Sequence, residues 1–236
     1  MINIIKNEFI STKKSTLIIL NVIILAFVGL SYFAKIKFSG VGYFTQPEIV
    51  DMFFSSTINM LAPFIVILIA KVITEEFNNG GMKIYLINPL SRNEVLIGKS
   101  MFILINILIT MIIQILLSFI AVCILTQVPS VDFIIYSLLE YLVTLIPVTG
   151  LILILSIPAF LMKTSRNTIL FGFAAIAAFD VVASFYEKLT PYSILYVLKN
   201  IAVSNQSLIN NSLISLVYII IGFLISSYIF SKREIR

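Results

Sequence analysis

The sequence predicts an all-α membrane protein with six transmembrane helices, and composition, charge placement and apolar run length together predict it. Of 236 residues, 60% are hydrophobic and only 11% charged, with a mean hydropathy of +1.09. Ordinary globular chains are about 45–50% apolar and about 25% charged. The charges gather into short clusters, and the runs between them are long enough to cross ~30 Å of hydrocarbon. Those runs are continuous rather than alternating with a period of two, which argues against the strands of a barrel. They occupy most of the chain and leave no soluble domain of useful size, so the chain reads as a single transmembrane domain over 1–236.

Residues 1–14 come first. Ile2, Ile5 and Phe9 recur at i, i+3 and i+7 beside Lys6, Lys13 and Lys14, a pattern that suits a short helix lying at the inner membrane surface; a plain solvated leader is the alternative. The uncharged runs Ser15 to Ala34 and Met52 to Ala70 are the first two spans. Ser100 to Val131 holds the third, Phe133 to Met162 the fourth, interrupted only by Glu140, and Asn167 to Tyr186 the fifth, interrupted only by Asp180. Leu213 to Phe230 is the sixth. With their flanks, the spans are placed at about 15–34, 52–72, 98–124, 134–161, 167–186 and 212–231. The first run is expected to stay as an anchor rather than act as a signal peptide, because no small-residue cleavage site follows it.

Charge sets the orientation. Lys6, Lys13, Lys14, Lys71, Lys83, Arg92, Lys99, Lys163, Arg166, Lys232, Arg233 and Arg236 fall on one side, and Lys35, Lys37, Lys188 and Lys199 on the other. By the positive-inside rule the richer side, with both termini, is cytoplasmic. The same rule accounts for the pI near 9.3 without nucleic acid. With no histidine and a single cysteine, Cys123, metal clusters and Ser-His-Asp or Cys-His catalysis lack their parts. Cys123 lies in an apolar run and reads as a small hydrophobe, buried or facing lipid.

Between spans two and three, residues 73–101 form the one cytoplasmic loop long enough for structure of its own. Glu75 and Glu76 close span two, and Asn78-Asn79-Gly80-Gly81 stops the helix. Met82 to Ile87 has room for about one and a half turns before Asn88-Pro89. Ser91 and Glu94 then form an S-x-x-E capping box, so the third helix starts in the cytoplasm and enters the membrane near Lys99.

This order of residues resembles the type-2 ABC transporter permeases, in which an acidic pair, a glycine, a short helix ending in Leu-x-x-Pro-x-x-Arg and a Gly-Lys follow the second of six spans. The matching positions are Glu75-Glu76, Gly80 or Gly81, Leu86-Ile87-Asn88-Pro89, Arg92 and Gly98-Lys99. One departure is Met82, where the family usually has Thr after the glycine. The resemblance extends to the six-span topology, the short turn at Lys163 to Asn167, and an outer interfacial or re-entrant segment within 187–205. It implies that segment 74–92 carries a coupling helix docking on a separate ATPase. Its coupling residues would be Glu75, Glu76, Lys83, Ile84, Leu86, Ile87, Pro89, Leu90 and Arg92, with Lys163 and Arg166 on the second turn. The alternative is an ordinary loop whose apolar residues pack on the chain itself.

The resemblance also implies two ATPase subunits holding ATP and Mg, a homodimer or a heterodimer with a related permease, and no cofactor on this chain. Gly98-Lys99-Ser100 ends like a phosphate-binding loop, but the first glycine is replaced by Asn93 and a capped membrane helix stands where a strand is required. The chain is therefore read as a permease and not an enzyme.

Two acids interrupt the spans. Glu140 and Asp180 are placed in the outer half and become candidates for lining an exit route; pairing with Lys188, Lys199 or backbone at the outer surface is the alternative. They would be the proton carriers of a proton-coupled secondary transporter, the competing function, though no pair of interrupted repeats supports it. Asn106, Gln114, Pro147, Pro158 and Gly172 read as structural. Small permeases of this kind resemble exporters of antimicrobial and amphipathic peptides. Ile-, Asn- and Lys-rich usage points to an AT-rich genome, hence to the plasma membrane of a Gram-positive bacterium.

Overall fold

A computed structural model of the chain describes residues 2–11, 15–39, 44–81, 91–126, 128–186, 188–201 and 205–233. Among the described residues every regular element is helical: α1 (Ile2–Ser11), α2 (Ser15–Ser39), α3 (Gln46–Ile69), α4 (Glu75–Asn78), α5 (Arg92–Leu125), α6 (Val131–Val143), α7 (Leu145–Leu161), α8 (Ser165–Phe185), α9 (Ile194–Asn200) and α10 (Asn205–Lys232). A π-turn, Ala70–Thr74, joins α3 to α4, and a 3-10 turn, Thr190–Tyr192, precedes α9. Among the described residues, six helical stretches are long and apolar enough to cross a membrane. The all-α, six-span expectation therefore holds.

Helix ends follow local chemistry. Span two starts at Gln46, earlier than the uncharged run suggests, because Thr45 and Glu48 close a capping box in which the Thr45 backbone N–H donates to Glu48 Oε2 at 2.9 Å. Pro47 in the first turn needs no donor there. At the other end Gly80 has φ +72°, the left-handed conformation that lets the chain leave α4. Ser91 and Glu94 form their box as expected, with the Ser91 N–H donating to Glu94 Oε2 at 2.7 Å. Span four is broken into α6 and α7 at Thr144, since Pro147 has no N–H for the Val143 carbonyl.

The bundle is built around α3, whose apolar window is 72% buried against 17% for that of α2 and 11% for that of α8. It packs on α2, α5, α7 and α8. Helices α7 and α10 form an extensive contact: a Cβ on Gly222 would stand 2.9 Å from Leu153 Cβ and 3.1 Å from the Ile154 nitrogen. Ser156 and Ser226 pair their hydroxyls across it at 2.9 Å. Small residues bring the backbones together where water supplies no driving force. In α5, Asn106, Thr110, Gln114 and Ser118 form one fully buried stripe at four-residue spacing, and Gln114 Nε2 donates to Asn21 Oδ1 in α2 at 3.3 Å. Cys123, on the same helix, is exposed. Segment α9 is inserted among α3, α7, α8 and α10, with Ile194, Leu195, Val197 and Leu198 buried.

Candidate functional site at the basic end of the bundle

The stems of the connection between spans two and three converge on Lys99, a fully buried lysine two turns into α5. A charge in that position is costly unless each of its three donors finds an acceptor. Lys99 Nζ donates to the Val72 carbonyl at 2.8 Å, to Glu76 Oε2 at 2.6 Å and to Glu8 Oε1 at 2.5 Å. Val72 lies in the π-turn, whose wider i→i+5 winding displaces carbonyls from the regular ladder, so the lysine also fixes that irregular turn. Removing one partner of such a buried pair typically costs about 3–5 kcal/mol, because the other charge is left uncompensated.

Glu8 belongs to α1, and Gly98 explains how α1 gets close enough. A Cβ at position 98 would sit 2.9 Å from Ile4 Cγ2 and 3.1 Å from Ile4 Cβ. The bare glycine backbone therefore forms a seat for Ile4, which is buried, and one turn on Phe9 meets Phe102 edge to face at 4.9 Å. Burial raises the Glu8 carboxyl above the usual carboxylate range against the pull of Lys99, and the charge of Glu76 adds to the rise.

The second stem is tied to the other side of the bundle. Arg92 Nη1 donates to the carbonyls of Phe230 (2.5 Å), Ser231 (2.9 Å) and Arg233 (2.9 Å), capping the end of α10 where the helix leaves carbonyls without partners. Arg233 returns the arrangement, donating to Ala159 and Met162 at the end of α7 at 2.8 and 3.0 Å and lying 3.8 Å over the Phe77 ring. Phe77, Phe160 and Phe230 pack against one another beneath the two guanidinium groups. Thr74 at the end of the π-turn shares a hydroxyl hydrogen bond with Thr168 in α8 at 2.9 Å.

Of the residues singled out from sequence, Glu75 is exposed on α4, Glu76 is part of the Lys99 cluster, and Arg92 is the α10 cap. Lys163 and Arg166 are exposed at the turn between α7 and α8. Lys83, Ile84, Leu86, Ile87, Pro89 and Leu90 lie outside the described residues. Glu140 is half-buried on α6, while Asp180 is on the exposed side of α8. Phe54 of α3 meets Tyr141 of α6 edge to face at 5.0 Å, which sets the turn of α3 that carries Asp51 against the turn of α6 that carries Glu140. Glu8, Asp51 and Arg233 carry weight in these clusters that sequence reasoning did not assign. An acid inside an apolar helix marks Glu8 and Asp51 in retrospect, but nothing local names their partners.

A family described as "ABC-2 family transporter protein" matches residues 4–174, which include α1, both stems and the first four spans. No curated protein matches the chain. A match over so much of a six-span helical chain shows that this protein belongs to the ABC-2 transporter family and is a type-2 ABC transporter permease.

Proposed function

We propose that the chain is the permease subunit of an ATP-driven exporter that carries amphipathic or antimicrobial peptides across the plasma membrane of a Gram-positive bacterium. Two permease chains, identical or related, form the pathway, and two separate ATPase subunits bind ATP and Mg beneath them. Segment 82–90 docks on the ATPase from the cytoplasmic side, with Lys83, Ile84, Leu86, Ile87, Pro89 and Leu90 as its contact residues.

The family match over residues 4–174 carries this reading, because it spans both stems of the connection. The geometry at those stems supports it. Glu76 and Lys99 hold one stem against α1 and the π-turn, while Arg92 holds the other against α10, so force applied to the segment reaches α1, the π-turn and α10 through short, charge-assisted contacts. An ATPase dimer drives the spans only if it binds one arrangement of them better than another. The proton-coupled alternative finds no favouring observation beyond Glu140 and Asp180 themselves.

The test is ATP hydrolysis by the permease co-expressed with its neighbouring ATPase and reconstituted in lipid nanodiscs. The reading expects hydrolysis that rises with added amphipathic peptide but not with soluble sugars or amino acids. Hydrolysis unaffected by any peptide would overturn the cargo assignment, and an ATPase that never binds the permease would overturn the coupling assignment.

A further inference from the structure

A buried lysine held by two acids is an uneconomical way to fill a helix junction. Replacing such a triad by apolar side chains of similar volume is often neutral or stabilising, so its presence says little about stability and more about the arrangement it selects. Here the arrangement is specific. The three protons of Lys99 go to three different elements: Glu8 in α1, Val72 in the π-turn and Glu76 in α4. Lys99 itself lies two turns into α5, and the adjacent Gly98 makes room for the Ile4 side chain, whose Cγ2 and Cβ would stand 2.9 and 3.1 Å from a Cβ at position 98. Helix α1 packs on α5 and is carried by this contact, with Phe9 on Phe102 as its second anchor. The far side of the bundle end, α7 and α10, is tied through Arg92 and Arg233.

We propose that Lys99 is a positioning residue for energy coupling: it latches α1, the π-turn of span two and the start of span three into one body, so that displacement of segment 82–90 moves the N-terminal helix together with both spans. This rests on the reading of 82–90 as the ATPase contact. Glu8 is the link to α1, Glu76 the link to the stem, and Gly98 the seat that keeps the latch short. A purely structural lysine would affect how much protein folds, whereas a latch determines whether α1 follows the nucleotide cycle in protein that has folded.

The experiment uses the complete permease–ATPase complex in nanodiscs, with spin labels coupled through a keto amino acid at the exposed positions Asn7 in α1 and Val131 at the opposite end of the bundle. The change in their separation is measured between the nucleotide-free and the ATP–vanadate-trapped complex. Wild type should show a change; Lys99→Met and Glu8→Gln should reduce it at least about twofold with the ATPase still bound, since the contact energy that ties α1 to the stems is lost. A disulfide between Ile4→Cys and Gly98→Cys, in a Cys123→Ser background, should restore the change in either variant, because it replaces the ionic latch covalently at the same contact. If Lys99→Met does not insert, Glu8→Gln, which leaves Lys99 paired with Glu76, decides the matter alone. An undiminished change in Glu8→Gln, or a defect the disulfide leaves in place, overturns the latch. Loss of ATPase binding in the wild type would instead overturn the coupling role of 82–90, and so the two failures are distinguishable.

Discussion

Arg92→Met is the substitution with the clearest consequence for the end of the bundle. The side chain is partly buried and its Nη1 serves three carbonyls of one helix end, at 2.5, 2.9 and 2.9 Å. A hydrogen bond to a charged donor is worth ~1.5–3 kcal/mol, and a cation at a helix C-terminus adds ~0.3–1 kcal/mol. The three bonds share one guanidinium and solvent screens the site, so they are not additive, and a total near 2 kcal/mol follows. For a chain of this length that is about 4–8 °C in the unfolding midpoint. Methionine keeps the apolar stem and removes the guanidinium, so the cap is lost together with the contact of the guanidinium carbon 5.7 Å over the Phe230 ring. Arg92→Lys should recover less than half of the loss, because a point charge cannot serve a planar array of carbonyls as the guanidinium does. The assay is thermal unfolding of the purified permease in detergent, read alongside retention of the ATPase by the complex. An unchanged midpoint together with loss of the ATPase would show that Arg92 faces the partner instead of α10 and would refute the assignment of the cap.

Further outcomes follow from charge and burial. Cysteines at 83 or 234 should react with impermeant reagent only from the cytoplasm, and those at 130 or 205 only from outside, in a Cys123→Ser background, as the distribution of Lys and Arg requires. Reaction at 205 from the cytoplasm would show the spans miscounted. Glu140→Gln and Asp180→Asn should lower cargo-stimulated transport while sparing basal hydrolysis and assembly; equal loss of assembly would mark both acids as structural.

Apolar run length alone was enough for the six spans, because hydrocarbon thickness sets the length directly. The start of span two at Gln46 was passed over, since Glu48 and Asp51 interrupt the uncharged run, although T-x-x-E is itself a capping signal. The break at Thr144 could have been read from Pro147. Contacts between distant parts of the chain were not legible. Glu8 and Lys99 are 91 residues apart and Arg92 lies 138 from Phe230, and a single sequence carries no record of which buried acid meets which base. Gly98-Lys99 was visible only as part of a motif, and its physical meaning, a seat for Ile4 beside a three-way charge contact, came from the packing of α1 on α5.

The central claim is that segment 82–90 is where the ATPase engages. A short helix is marginal alone and gains order by burying its apolar face on a partner, and an anchor at the centre of such a contact is worth about 2 kcal/mol or more. Co-purification of the cognate ATPase with Leu86→Asp and Ile87→Asp permeases, each inserted at wild-type level, measures this directly. The account predicts that both variants lose the ATPase, because each would bury a charge without a partner. If both keep the ATPase and full transport, segment 82–90 is not the coupling element.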